Sequence, residues 1–137
     1  MFLLDMPNKY NENEEKSTVE KIELPAIDVL TGIKHSGNSK ALYLEVLAEF
    51  AEAYRESDIL FEKLIREQRF EQLKMLCLDM KGLSGTIGAK EMNNEIGEVQ
   101  KILLYRKHDQ LPEHSKLYRK ELTKLIKSIE EYLTSNT

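Results

Sequence analysis

Apolar side chains recur every three or four residues through most of this chain, which is the spacing of one face of an α-helix. Charged and amide side chains occupy most of the positions between them. No segment alternates apolar and polar residues with a period of two or carries a hairpin turn signal, so the pattern predicts no β-strand. We therefore expect an all-α fold, an up-and-down bundle of four main helices preceded by a short extra helix.

Capping and breaking residues set the expected bounds of the helices. A short helix is expected from about residue 28 to 34 and a long helix from residue 40, and the pattern leaves open whether residues 54–57 break the long helix or only bend it. Further helices are expected at about 70–85 or slightly beyond, 91–107 and 113–132. The long helix and the last helix are expected to bury Leu42, Val46, Leu47, Phe50, Tyr54, Leu117, Leu122, Leu125, Ile129 and Leu133.

The first 22 residues differ in composition from the rest of the chain. They are dominated by Asn, Glu and Lys, which predicts a flexible polar leader at 1–22 and a folded domain at 23–135. The leader begins with a short apolar group, Phe2, Leu3, Leu4 and Met6, which can dock on the domain or on a neighbour. Fraying is the expected outcome for this group.

Composition narrows the classes of partner. The chain has 137 residues and a net charge of −4, which argues against a nucleic-acid partner bound through its phosphates. A single cysteine, Cys77, excludes an internal disulfide and fits the reducing cytoplasm. No apolar run reaches the roughly 20 residues needed to cross a bilayer. We expect a cytoplasmic monomer that binds neither membranes nor nucleic acids.

The segment at 70–85 carries the most informative pattern. At about 100° per residue, its apolar stripe consists of Leu73, Leu76, Cys77, Met80, Leu83, Ser84 and Ile87. The opposite side consists of Glu71, Met75, Leu78, Gly82 and Gly85, flanked by Lys74 and Lys81. Each glycine inside a helix costs roughly 0.5–1 kcal/mol relative to alanine, so two on one side need a reason. The usual reason is the close approach of another backbone, which predicts a docking surface.

This segment also resembles a known family. Lys81-Gly82-x-x-Gly85 resembles the second half of the pattern His-x-x-Lys-Gly-x-x-Gly, the signature of histidine phosphotransfer (HPt) domains in bacterial phosphorelays. Counting back three residues from Lys81, the position of the phosphoacceptor histidine holds Leu78. Upstream, residues 24–29, Gly32, residues 37–43 and Phe50 resemble the usual lead-in of such domains, and the resemblance extends to about Leu133.

The resemblance implies a helical bundle whose docking surface meets the receiver domain of a response regulator or of a hybrid sensor kinase. In family members the histidine accepts a phosphoryl group, the lysine offers it positive charge, and the glycine admits the receiver closely. Leu78 has no lone pair and no titratable proton, so it cannot be phosphorylated. The expected function is therefore receiver binding without phosphate transfer. The residues expected to dock are Lys74, Met75, Leu78, Lys81, Gly82 and Gly85.

No other constellation predicts catalysis, a cofactor or a metal. His35, His108 and His114 lie outside the Lys-Gly motif and are expected to be solvated surface residues, so the chain is not expected to be an enzyme. Two alternatives stay open. The chain is an active phosphotransfer protein in which Leu78 has replaced a native histidine, or it is a structural interaction domain of a sensor kinase.

Overall fold

A computed structural model describes residue 24 and residues 26–137 of the chain. Over these residues the chain forms six α-helices and one short 3-10 helix at His108–Gln110, and no strand. The helices are α1 (Val29–His35), α2 (Lys40–Tyr54), α3 (Ser57–Arg66), α4 (Phe70–Ile87), α5 (Lys90–Leu104) and α6 (Leu111–Ser135). The all-α prediction is confirmed.

Local chemistry explains several helix ends. The side chain of Asp28 accepts a hydrogen bond from the backbone N–H of Thr31 at 3.2 Å, which caps α1. Ser39 caps α2 in the same way. Pro112 lies in the first turn of α6, where its missing N–H is not needed. At the other end of α4, Gly88 adopts φ = 83°, a left-handed conformation that ends the helix.

The helices pack around one shared core. Helix α4 contacts α5, α5 contacts α6, and α6 returns to contact both α2 and α3. Helix α1 lies against α4 and α2. Within the core, the rings of Phe61 and Tyr118 stack with their centroids 4.2 Å apart. The fully enclosed side chains include Tyr43, Leu47, Leu73, Met80, Ile87, Met92, Ile96, Leu111, Leu125 and Ile129.

The structure settles one open point and corrects two predictions. The long helix is broken, because α2 ends at Tyr54 and α3 begins at Ser57. Leu42 and Leu117 were predicted to face inward, which is wrong, since they are 46% and 40% exposed. The next residue along each helix, Tyr43 and Tyr118, is buried instead.

Two further predictions concern the leader and the membrane. The leader predicted at 1–22 lies outside the described residues. Among the residues that are described, no helix is both long enough and apolar enough to cross a membrane.

Candidate functional site

Helix α4 separates a buried side from an exposed one. Leu73, Cys77 and Met80 are fully buried, whereas Met75 and Leu78 are each 62% exposed. The outward orientation expected from helical spacing is therefore observed. We call the residues Lys74, Met75, Leu78, Lys81, Gly82 and Gly85 the docking face. Its exposed apolar pair lies one turn apart on the helix, so the two side chains are neighbours.

Gly82 lies on the docking face with free space in front of it. A Cβ atom added at this position would meet no other atom within 4 Å, apart from its own helix backbone and chain neighbours. The carbonyl of Gly82 accepts a hydrogen bond from the hydroxyl of Thr86 at 3.0 Å, one turn later in the same helix. Packing within the described chain therefore does not require a glycine at this position, although a glycine weakens the helix.

Gly85 lies at the edge of the docking face, where α1 and α5 approach α4. A Cβ at Gly85 would lie 3.4 Å from the side-chain nitrogen of Asn93, an ordinary contact distance. The carbonyl of Gly85 is 3.1 Å from Nδ1 of His35. Because a carbonyl oxygen can only accept, this ring nitrogen carries the proton and donates. Gly85 therefore tolerates a side chain less well than Gly82 does. Gly88, described next, tolerates one less well than either.

Gly88, the third glycine of the motif, has a different role. Its φ of 83° is strained for any other residue, and a Cβ here would lie 2.3 Å from the backbone oxygen of Asp28. The backbone N–H of Asp28 donates to the carbonyl of Gly88 at 2.8 Å. Gly88 therefore joins the end of α4 to the start of α1 and is needed by the fold itself.

The two lysines of the docking face are held differently. Lys74 is exposed and lies 3.2 Å from the carboxylate of Glu71 one turn earlier. The ammonium of Lys81 instead donates to the backbone oxygen of Asn93 at 3.1 Å and to its side-chain oxygen at 3.0 Å. In return, the side-chain amide of Asn93 donates to the carbonyl of Lys81 at 2.7 Å. Lys81 is thus anchored to α5, and only Lys74 extends into solvent.

Asn93 and Gly97 of α5 are residues that the sequence analysis missed. A Cβ at Gly97 would lie 3.1 Å from Nζ of Lys81, so this glycine leaves room for the lysine side chain. No sequence pattern pointed to either residue, because the contact joins two helices across the turn between them.

The three histidines have separate surroundings. His35 is exposed beside Gly85, and the ring of His108 lies against Phe70 with centroids 3.9 Å apart. The prediction of a solvated surface residue is wrong for His114, whose Nδ1 lies 2.7 Å from Oε2 of Glu95. Both side chains are largely buried, and burial raises the pKa of the Glu95 carboxyl. This pair joins α5 to α6 and lies apart from the docking face.

The docking face offers apolar surface and helix backbone. Leu78 offers no nucleophile, and the nearby Cys77 is buried on the opposite side of the helix. Burial raises the pKa of its thiol to about 12, so no thiolate is present at neutral pH. The described residues contain no group of three or more His, Cys, Asp and Glu side chains placed to hold a metal ion. The docking face therefore consists mainly of the exposed pair Met75 and Leu78 beside the bare helix backbone at Gly82.

Comparisons of the chain with models of known protein families, with curated proteins and with solved structures found no match. Over the residues that are described, the structure defines an all-helical fold.

Proposed function

We propose that this chain is a degenerate histidine phosphotransfer domain that binds a receiver domain through the docking face and carries no phosphate. In this proposal it acts in the cytoplasm as a monomer and changes the flow of a phosphorelay by occupying a receiver. The proposal rests on the motif around Lys81 and Gly82 and on the geometry of α4.

The observation that carries the proposal is the free space at Gly82. A helix-interior glycine costs roughly 0.5–1 kcal/mol relative to alanine, and no contact within the described chain accounts for it. A partner whose surface lies against the helix backbone accounts for it, because any side chain at Gly82 would hold that partner away. This is the role that the family resemblance gives to the glycine after the lysine.

The exposed apolar pair supports the same surface. Leu78 and Met75 are each 62% exposed, and burying one such side chain contributes roughly 1.5–3 kcal/mol. A micromolar complex corresponds to about −8 kcal/mol, so these two residues would supply a substantial part of it. Lys74 adds a positive charge at the edge, which complements the acidic pocket of a receiver.

The order of helix contacts is compatible with the bundle proposed for this family. If α2 and α3 count as one interrupted helix, then α2–α3, α4, α5 and α6 are its four members. Each of these contacts the next along the chain, and α6 closes the set against α2 and α3. The short α1 is then the extra helix at the front.

Receiver binding is the first test. Calorimetric titration with receiver domains from the source organism should give a complex of about micromolar affinity with a cognate partner. Leu78→Glu and Gly82→Arg should each weaken it by at least about tenfold, since tenfold is 1.4 kcal/mol and each change removes or blocks more than that. Leu104→Glu is the matched control, because Leu104 is 70% exposed and lies at the end of α5. Binding to none of the receivers would overturn the proposal.

Phosphate transfer is the second test. The wild-type chain incubated with a phosphorylated cognate receiver should gain no acid-labile label, whereas Leu78→His should gain it. His35 contacts Gly85 of the docking face, so the same assay on Leu78→His with His35→Gln tests whether the label lies at position 78 and not on this neighbour. Label on the wild-type chain would contradict the proposal of a phosphate-silent protein.

A further inference from the structure

The outer side of α4 has a projecting half and a recessed half. Towards the start of the helix, Glu71 and Lys74 extend exposed side chains into solvent. Towards its end, Gly82 and Gly85 have no side chain, and a Cβ added at Gly82 would meet nothing within 4 Å beyond its own helix. Leu78 lies between the halves, seven residues from both Glu71 and Gly85 and four residues from both Lys74 and Gly82. The projections and the recesses are therefore equally spaced about Leu78.

This spacing makes the surface complementary to itself. In a two-fold dimer both copies use the same surface, so a contact from residue i to residue j is repeated from j to i. If two copies of α4 pair antiparallel with the axis at Leu78, Lys74 of one copy lies over Gly82 of the other. Glu71 then lies over Gly85. A parallel pair would instead place Lys74 opposite Lys74, so the antiparallel arrangement is the one that fits.

Charge favours the same arrangement. Lys74 and the exposed Asp79 lie on opposite flanks of the outer side, because five residues turn a helix by about 140° from the starting direction. A two-fold axis exchanges the flanks, so Lys74 of one copy faces Asp79 of the second copy. Residues five apart are not neighbours on one helix, so this ion pair forms only between copies. The charged residues on and beside this side of α4, Glu71, Lys74, Asp79 and Lys81, sum to zero, so the two surfaces do not repel each other.

The exposed apolar pair lies at the centre of the contact. Leu78 is at the axis and Met75 is one turn away, so each pair packs against its own repeat. The contact runs from Glu71 to Gly85, about 21 Å along the helix, and is about 10 Å wide. It is therefore smaller than the roughly 1,200 Å² that stable complexes bury in total. We expect a weak dimer with a dissociation constant on the order of 100 μM.

We propose that a second copy of this chain covers the docking face through an antiparallel two-fold contact of α4 centred on Leu78. The self-association stands without the proposed receiver binding, and only its regulatory consequence rests on that proposed function. A second copy and a receiver compete for one surface, so the dimer is a resting form. The monomer, which predominates at micromolar concentration, is the form that binds a receiver.

Cysteine cross-linking locates the axis. A disulfide requires the two Cα atoms to lie within about 7 Å of each other. In a Cys77→Ala background, Leu78→Cys places both thiols beside the axis, whereas Met75→Cys separates them by about 9 Å along the helices. Both positions are 62% exposed, so random collision affects them equally. Oxidation with diamide should cross-link Leu78→Cys several-fold faster than Met75→Cys, and adding Gly82→Arg should remove the difference.

Charge reversal tests the pairing without an introduced thiol. In sedimentation velocity, the wild-type chain should shift from monomer towards dimer between about 10 μM and 1 mM. Asp79→Lys should raise the dissociation constant several-fold, because the new lysine faces Lys74 of the second copy. Lys74→Glu combined with Asp79→Lys should restore dimerisation. Leu104→Glu, a charge at an exposed leucine at the end of α5, is the control and should leave it unchanged.

Three results would each overturn the self-association: equal cross-linking of the two cysteine variants, a wild-type chain that stays monomeric at about 1 mM, or no rescue by the double charge reversal. None of these measurements uses a receiver, so their failure is distinct from failure of the proposed function. Adding a cognate receiver to the wild-type chain should lower the fraction of dimer. A dimer fraction that does not change while the receiver binds would overturn the regulatory role.

Discussion

The two sides of helix α4 differ in what their residues are for. On the inner side and at its C-terminal end, Cys77 and Gly88 are determined by contacts within the molecule: one is fully buried and the other touches the backbone of Asp28. On the outer side, Leu78 and Gly82 have no comparable contact with the part of the chain that the structure describes. Neighbouring residues of one motif therefore divide into those that the fold needs and those that it does not.

This difference refines what a sequence motif means. Gly82, Gly85 and Gly88 recur at three-residue intervals and look equivalent in the sequence. In the structure, a side chain at Gly82 would point into free space, at Gly85 it would touch Asn93, and at Gly88 it would clash with backbone. Only the first of the three is not explained by a contact among the described residues, and the predictions below test that division.

Thiol reactivity should show the largest difference between the two sides. Native Cys77 should react with a thiol reagent at pH 8 on the order of 10³-fold more slowly than in the unfolded chain, because reaction requires opening of the core. Leu78→Cys in a Cys77→Ala background should react at close to the unfolded rate. Equal rates for the two proteins in stopped-flow measurements would contradict the assignment of inner and outer sides.

The same thiol predicts a pH dependence. Burial raises the pKa of Cys77 from 9.0 to about 12, so the folded state holds this proton more tightly than the unfolded state does. The stabilisation is intact below pH 9 and is lost as the pH rises from 9 towards 12. In urea unfolding, the stability of wild type relative to Cys77→Ala should fall by up to about 1.4 kcal/mol per pH unit in that window. A difference in stability between the two proteins that stays constant from pH 8 to 11 would contradict this prediction.

Gly88→Ala should be the most destabilising substitution at a motif glycine. Positive φ and the clash with the oxygen of Asp28 together should lower the free energy of unfolding by about 3 kcal/mol. Gly37→Ala is the matched control: Gly37 also has positive φ, 68°, but a Cβ there would meet nothing within 4 Å. It should lose only about 1–2 kcal/mol. Similar losses at both positions would show that the contact with Asp28 is unimportant.

The lysines offer an intermediate test. Lys81→Met removes both hydrogen bonds from the ammonium to Asn93 and leaves the side-chain oxygen of Asn93 without this donor, so it should lower the free energy of unfolding by about 1–2 kcal/mol. Lys74→Met removes only a surface ion pair with Glu71 and should change it by less than about 0.5 kcal/mol. Chemical denaturation measures both. A larger loss for Lys74→Met than for Lys81→Met would reverse the roles given to the two residues.

Gly82→Ala should have the smallest effect on stability among the glycine substitutions, and the opposite sign. Alanine fits the helix without a clash and should raise the free energy of unfolding by about 0.5–1 kcal/mol. The same change should weaken binding to a cognate receiver, since the added methyl group separates the two backbones. A variant that is more stable and binds equally well would show that Gly82 has no role in docking.

Much of α4 follows from the sequence alone, because helical spacing depends only on the rotation per residue. It correctly placed Leu73, Cys77 and Met80 inside and Leu78 outside. The same reasoning was wrong at Leu42 and Leu117, where the neighbouring tyrosines are buried instead. At those positions two adjacent apolar residues compete for one inward place, and the shape of the space between helices selects Tyr43 and Tyr118.

The docking face shows the same limit. Its apolar pair and its glycines could be predicted, since each is a property of one helix. The anchoring of Lys81 could not, because its partner Asn93 lies twelve residues later on another helix. The burial of His114 against Glu95 was missed for the same reason.

The sequence by itself determined that this protein is helical and which side of each helix is mainly apolar, whereas the equivalence of Leu78 to a phosphotransfer histidine stays a prediction. These are local properties, set by side-chain chemistry and by the helical repeat. Only the tertiary structure decided that Gly88 serves the fold while Gly82 is free, because that depends on whether a distant segment, here Asp28, approaches the backbone. Contacts from distant segments therefore distinguish the motif residues that the fold needs from those that it does not need.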